Sequence, residues 1–243
     1  MKAPLQQIEW SDHIENEIFS QRGFESFDSF WNLENSGTDI EFKDVSEHFD
    51  KTKKIKTLHV TCIRLAENVK YFLKRAQLED YEYLKNEFQA YNVIGKFGFK
   101  TAKLVAFSFN DQKKHGFILV KNIGNAICLN DLNNGMLLPD TVARYQTHEK
   151  EILTKLASSI RRYQHAGYFY PSLLAKHIFV NLNTIEIFLI DLENFCHKKE
   201  LPFYYQIPYI GYYFHKKERK KLLNSLSNLK NTVNALQKLL IKY

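Results

Sequence analysis

The sequence predicts an α+β fold in two unequal halves, strand-rich first and mostly helical second. Hydrophobic spacing alternates every second residue in much of the first half and shifts to i, i+3, i+4 in most of the second, the repeats of strand and helix. The composition, 44% hydrophobic and 14% aromatic with 9 Gly and 5 Pro in 243 residues, supplies a core and excludes collagen-like, low-complexity and disordered chains. That length suits one large domain or two small ones.

Residues 58–65, LHVTCIRL, alternate Leu58, Val60 and Cys62, and after the polar turn Ala66-Glu67-Asn68 comes VKYFLKR, so the pair reads as a hairpin. From Asp80 to Ile94 the spacing Leu84, Phe88, Tyr91 predicts a helix. LVAFSF (104–109) and GFILV (116–120) flank a polar turn as a second hairpin. GNAICLNDLNNG (124–135) has the Asn/Asp/Gly content of a turn-rich connector. A helix is expected from about Glu149, then a hairpin of IFVNL and IEIFLIDL around Asn183-Thr184, and one long helix from Lys216 onward. Polarity rises at Lys121-Asn122, so the halves divide into residues 1–122 and 123–243, and ligands favour such junctions. The aromatic-rich run 203–214 can stack on sugar rings or bases, with core packing the commoner use.

The formal net charge of +7 is unevenly spread: −9 over residues 1–50, an acidic N-terminal extension, +9 over 51–215, and +7 over 216–243. A basic middle and tail suit an anionic partner, whether nucleotide, phosphorylated glycan, nucleic acid or acidic lipid surface. No recognisable nucleic-acid-binding motif accompanies the charge, so no specific nucleic acid is expected. Glu9, Asp12, Glu15 and Glu17 stand where a secretory signal would be basic and then apolar, and no uncharged apolar run is long enough to span a bilayer. Cys62, Cys128 and Cys196 lie too far apart for a CxxC knuckle or a disulfide framework, which fits a reducing cytosol. In the tail, Leu222, Leu226, Leu229, Val233, Leu236 and Leu240 form a heptad stripe behind the basic turn Lys216 to Lys221. Packing on the helical half, a membrane surface, or a coiled-coil dimer would each use it.

Two constellations carry chemistry. Lys74 ends the strand Tyr71-Phe72-Leu73, and Glu87 follows on the helix, i+3 from Leu84 and i−4 from Tyr91. A carboxylate within an apolar stripe needs a partner. A strand lysine facing a helix glutamate holds nucleotide phosphates in kinase-like folds, although an amphipathic-helix Glu and a surface Lys would look the same in isolation. Further on, the strand Ile178-Phe179-Val180 starts after His177 and the return strand delivers Asp191, so the two fall together at one end of a hairpin. Imidazole and carboxylate there, with phosphate oxygens, complete the shell of a divalent ion. A core histidine and a turn carboxylate are the structural alternatives; the joint order with Lys74 and Glu87 favours the functional one.

The order Tyr71-Phe-Leu-Lys74-Arg, Asn86-Glu87-Phe, His165-x-Gly167, Lys176-His177-Ile-Phe-Val and Leu189-Ile-Asp191-Leu, over roughly residues 55–197, resembles the lipopolysaccharide kinase (Kdo/WaaP-like) family. That resemblance implies a bacterial, two-lobed protein-kinase-like fold, a strand-rich N-lobe and a mostly helical C-lobe with ATP between them, which phosphorylates a core sugar of lipopolysaccharide. It implies ATP and Mg²⁺ as cofactors. Lys74 becomes the phosphate-binding lysine, Glu87 its helix partner, His177 and Asp191 the metal ligands, and Val120 to Asn122 the nucleotide hinge. The family's loop usually reads His-x-Asp-Leu-Tyr, and here Tyr170-Pro171-Ser172-Leu173-Leu174 puts Ser172 in the catalytic aspartate's place and Tyr170 in the histidine's. The phosphate-covering loop is poor in glycine, since the only glycines before residue 95 are Gly23 and Gly37, of which Gly37 is the candidate. The expectation is a slow kinase of a lipopolysaccharide core sugar or other glycan, peripheral on the inner face of the inner membrane through its basic C-terminal helix. The alternative is a nucleotide-binding pseudokinase acting through protein contacts.

Overall fold

A computed structural model describes residues 7–33, 40–45, 58–65, 69–202 and 208–241. The chain divides into two compact units, Met1–Phe88 with Ala102–Ile123, and Gln89–Thr101 with Gly124–Tyr243.

In the first unit the elements run β1 (Glu9–Trp10), α1 (His13–Ser20), α2 (Phe27–Asn32), β2 (Ile40–Asp44), β3 (Leu58–Leu65), β4 (Lys70–Gln77), α3 (Asp80–Val93), whose last residues belong to the second unit, β5 (Leu104–Asn110) and β6 (His115–Lys121). Both expected hairpins are present, and the strands form one antiparallel sheet in the order β1-β5-β6-β4-β3-β2. Strand alternation gives this sheet two faces. Tyr71, Leu73, Phe117 and Leu119 bury one face against Phe19, Phe24 and Phe30 of the acidic segment, with Phe19 and Tyr71 edge-to-face at 4.9 Å. The aromatic side chains of the described part of the acidic segment are thus part of this unit's core.

The segment's charge is buried at Glu15 and meets surface cations elsewhere, as where Asp12 accepts from Lys103 Nζ at 2.6 Å. Glu15, almost fully buried, accepts from Tyr71 Oη at 2.6 Å and from Lys121 Nζ at 2.9 Å. Burial pulls its carboxyl up, and the hydrogen bonds of Lys121 and Tyr71 bring it to a net position below the ordinary value. Asp12 caps α1 by accepting from the Ile14 amide at 2.8 Å, and Ser26 caps α2 in a reciprocal pair with Ser29. The other sheet face carries Phe72, Lys74 and Ala76 on β4, and α3 packs there through Phe88, 4.3 Å from Phe107.

The second unit contains β7 (Ala126–Cys128), α4 (Leu129–Asn133), α5 (Pro139–His165), β8 (Tyr168–Phe169), β9 (Ile178–Asn181), β10 (Glu186–Leu189), β11 (Cys196–His197), α6 (Pro208–Ser225) and α7 (Lys230–Ile241). Three expectations are corrected. The stretch 124–135 is not only a connector: Ile127, Cys128, Leu129 and Leu132 recover enough apolar contact to make β7, which pairs with β9, and the short α4. The long helix begins at Pro139, ten residues before Glu149, with proline near its N-terminus where a missing amide costs nothing. The C-terminal helix is two helices. Ser227 and Asn228 turn the chain between them, and Asn228 is held by Asn133 through its amide at 3.0 Å and its side chain at 3.2 Å.

The heptad spacing survives that turn, and its residues Leu222, Leu226, Leu236 and Leu240 are all at most 1% exposed in the core with α5. No described helix is long and apolar enough to cross a membrane.

Candidate functional site

Lys74 lies in the centre of the sheet, opposite Val60 on β3 and Ile118 on β6. Its ammonium donates to both carboxylate oxygens of Glu87, each at 2.8 Å. The Glu87 side chain is 2% exposed and that of Lys74 is 12% exposed, so water does little to screen the pair. The apolar stripe of α3 places Glu87 against the sheet, as the sequence spacing requires. Val120 shares the Lys74 face, because Phe72, two residues before Lys74, pairs with it. Val120 is buried within the ladder, whereas Asn122 is exposed and its backbone amide donates to the Lys70 carbonyl at 2.8 Å. Gly37 lies outside the described residues.

The second cluster is built around the loop that follows α5. Gly167, at φ +83°, turns the chain out of the helix in a conformation few side chains tolerate. The loop then passes Tyr170, Pro171 and Ser172 before β9. His177 Nδ1 is 2.7 Å from the Ser172 carbonyl, which can only accept, so Nδ1 carries the proton and Nε2 faces Asp191 Oδ2 at 3.4 Å. In the neutral ring these are two electron-pair donors facing one another, the arrangement of two ligands of one cation. Mg²⁺ characteristically takes one or two carboxylates and completes its shell with phosphate oxygens and water. Asp191, whose side chain is 37% exposed, fits that role with His177 beside it. No group of three or more His, Cys, Asp or Glu with ligand geometry occurs among the described residues.

Asp191 has left-handed backbone, φ 61° and ψ 48°. Such a conformation in a non-glycine residue is held by its surroundings and is common at functional positions. Here the holder is Tyr170, whose hydroxyl donates to the Ile190 carbonyl at 2.7 Å and lies 3.3 Å from that of Asp191. The Ile190 amide in turn donates to the His177 carbonyl at 3.1 Å. Ser172 Oγ accepts from Asn194 Nδ2 at 3.2 Å. The structure therefore brings Ser172, His177 and Asp191 into one cluster in the second unit, and pairs Lys74 with Glu87 in the first.

Sequence reasoning missed the support beneath this loop. Glu218 on α6, 3% exposed, accepts from the Tyr170 amide at 2.6 Å and from Gln164 Nε2 at 3.0 Å. Lys221 Nζ donates to the Pro171 carbonyl at 2.8 Å, and Ser225 Oγ accepts from the Ala175 amide at 2.9 Å. One helix thus grips the loop at three points. Burial raises the Glu218 carboxyl to about 7, against the opposing pull of Gln164, the Tyr170 amide and Tyr163. The available signal was a single acid within Lys216-Lys-Glu-Arg-Lys-Lys221.

A model of the lipopolysaccharide kinase (Kdo/WaaP) family matches residues 49–202. A search of curated proteins finds no match. Among solved structures, one described as WaaP in complex with acyl carrier protein is similar over 98% of this chain and 89% of that chain, at 12% identity and a TM-score of 0.61. The Cydia pomonella granulovirus kinase PK-1 is similar over 65% of this chain and 53% of that chain, at 13% identity and a TM-score of 0.41. The likeness to WaaP shows the fold, a two-lobed protein-kinase-like α+β architecture.

Proposed function

The chain belongs to the lipopolysaccharide kinase (Kdo/WaaP) family, and from that premise we propose that it transfers the terminal phosphoryl group of ATP to a sugar hydroxyl of the lipopolysaccharide core. The observation that carries this reading is the doubly hydrogen-bonded, buried Lys74–Glu87 pair. A surface lysine would not need a buried acid on a neighbouring helix; a lysine presented to phosphates does, because the carboxylate fixes its ammonium. Val120 and Asn122 are assigned to the nucleotide's base.

His177 and Asp191 would hold the ion, which when bound with ATP supplies charge neutralisation on the phosphates. Ser172 would orient the acceptor hydroxyl by a hydrogen bond. A serine cannot take its proton near neutral pH, so the assistance of a general base, typically worth about 10²- to 10⁴-fold, is missing and turnover is slow. Phosphoryl transfer depends chiefly on positioning and charge stabilisation, so activity survives that loss. The protein works at the cytoplasmic face of the inner membrane, attracted by Lys216 to Lys221.

The second reading is a nucleotide-binding pseudokinase acting through protein contacts, and Ser172 in the aspartate's place favours it. Both readings require nucleotide binding. Saturating Mg²⁺·ATP should stabilise the native chain by about 2.7 kcal/mol at a hundredfold excess over Kd. Lys74→Ala and Asp191→Ala should each abolish most of that shift. A thermal shift unchanged in both variants would remove the phosphate and metal roles together.

A further inference from the structure

Helices α6 and α7 and the end of α5 enclose an open groove of about 1020 Å³. Among the described residues lining it, the charged side chains are all basic, Lys216, Arg219, Lys220 and Lys230, with the imidazoles of His165 and His215 beside them. Glu218, the single acid between residues 208 and 241, is turned to the other side of α6 and buried against the Tyr170 loop. Among the described residues no carboxylate forms an ion pair with Lys216, Arg219, Lys220 or Lys230. Surfaces ordinarily intersperse the two signs, so a cluster of cations with no ion-paired carboxylate on its exposed side marks a place for an anion.

Arg219 is fixed within this cluster. Its Nε and one terminal nitrogen donate to Gln164 Oε1 at 2.8 and 2.6 Å, and its other terminal nitrogen donates to the Leu240 carbonyl at 2.8 Å. The guanidinium is therefore fixed by neutral acceptors, and the one carboxylate that acts on it, Glu218, does so from the buried side of α6 through Gln164 rather than as an ion pair. The floor of the groove is apolar, formed by Leu223, Val233 and Leu240.

We propose that this groove binds one phosphate-bearing amphiphile, with its anionic head on Lys216, Lys220, Lys230 and the fixed Arg219, and its apolar part on Leu223 and Val233. An anion without an apolar part would leave the floor wet, and an uncharged apolar ligand would desolvate the cations without compensation. A molecule carrying both satisfies both, and the volume is at the upper end of ordinary small-molecule sites, which run to about 1,000 Å³. The groove differs from a diffuse basic surface in predicting saturable, one-to-one binding. It is also independent of phosphotransfer: a chain that bound no nucleotide would present the same groove. Through Glu218, Lys221 and Ser225 on its opposite side, α6 joins this groove to the Tyr170–Ala175 loop, so a lipid-borne acceptor held here would be anchored on the helix that carries that loop.

The test is calorimetric titration of the full chain with dihexanoyl phosphatidate below its micelle concentration. Dihexanoyl phosphatidylcholine supplies the tail without net charge, and inorganic phosphate the charge without a tail. Phosphatidate should bind with a stoichiometry of one, at least roughly tenfold tighter than either comparator. The triple variant Lys216→Gln, Lys220→Gln, Lys230→Gln removes exposed charges and should weaken it roughly tenfold or more. Lys113→Gln, Lys150→Gln and Lys199→Gln, exposed elsewhere, should leave it unchanged. Equal binding of phosphate or phosphatidylcholine, failure to saturate, or an equal effect of the two triple variants would overturn the proposal.

Discussion

Glu218→Gln should change how stability depends on pH. In the folded chain burial raises the Glu218 carboxyl from 4.5 to about 7, although the Tyr170 amide, Gln164 and Tyr163 all pull it down. Between these values the native state holds a proton that the unfolded chain has released. The stabilisation is therefore fully present below pH 4.5 and is lost as pH rises through about 7. At about 1.36 kcal/mol per pH unit the change amounts to roughly 3 kcal/mol, undiminished by solvent because the residue is 3% exposed. His215 works in the opposite direction. Burial lowers it to about 4, so its contribution is present above its unfolded value of 6.5 and is lost as pH falls toward 4. The two partly cancel in the wild type below pH 6.5, which makes the difference between wild type and variant the proper readout. Urea denaturation from pH 4.5 to 8 should show that Glu218→Gln removes a component that falls by about 3 kcal/mol with rising pH. A difference that is flat across this range would refute the assignment of a proton to Glu218.

Glu87→Gln should destabilise the chain in chemical denaturation by more than about 1 kcal/mol, because the ammonium of Lys74, only 12% exposed, loses the carboxylate that accepts from it twice. Glu15→Ala should cost about 1–3 kcal/mol by leaving the buried Tyr71 hydroxyl without its acceptor, and a loss below 0.5 kcal/mol would show that water reaches it. Ser172→Asp should raise phosphate transfer to a lipopolysaccharide core acceptor by about 10²-fold or more, and an unchanged or lower rate would place the base elsewhere.

The sheet hairpins were legible because alternating residues such as Leu58, Val60 and Cys62 are bounded by polar turns, and α3 because Leu84, Phe88 and Tyr91 repeat at helical spacing. The two residue pairs followed from that, since Lys74 and Glu87 sit on those elements and His177 and Asp191 bracket a short hairpin. The break at residues 226–229 was invisible because the turn preserves the heptad step from Leu226 to Leu229, so periodicity reads straight through it. The strand β7 and helix α4 were hidden by the Asn and Gly residues around Ile127 and Leu132, whose fate tertiary contact decided. Glu218 was obscured by its basic neighbours: nothing in one dimension shows that α6 turns its single acid inward onto the Tyr170 amide. The aromatic N-terminal layer was obscured in the same way, since charge dominates residues 1–50 while Phe19, Phe24 and Phe30 decide where they go.

The most direct test of the central claim is transfer of labelled γ-phosphate from ATP to purified lipopolysaccharide core, followed in wild type, Lys74→Ala and Asp191→Ala. Slow but Mg²⁺-dependent incorporation by the wild type, lost in both variants, is the expected result. No incorporation by a wild-type chain that binds Mg²⁺·ATP, or equal incorporation by all three chains, would contradict it.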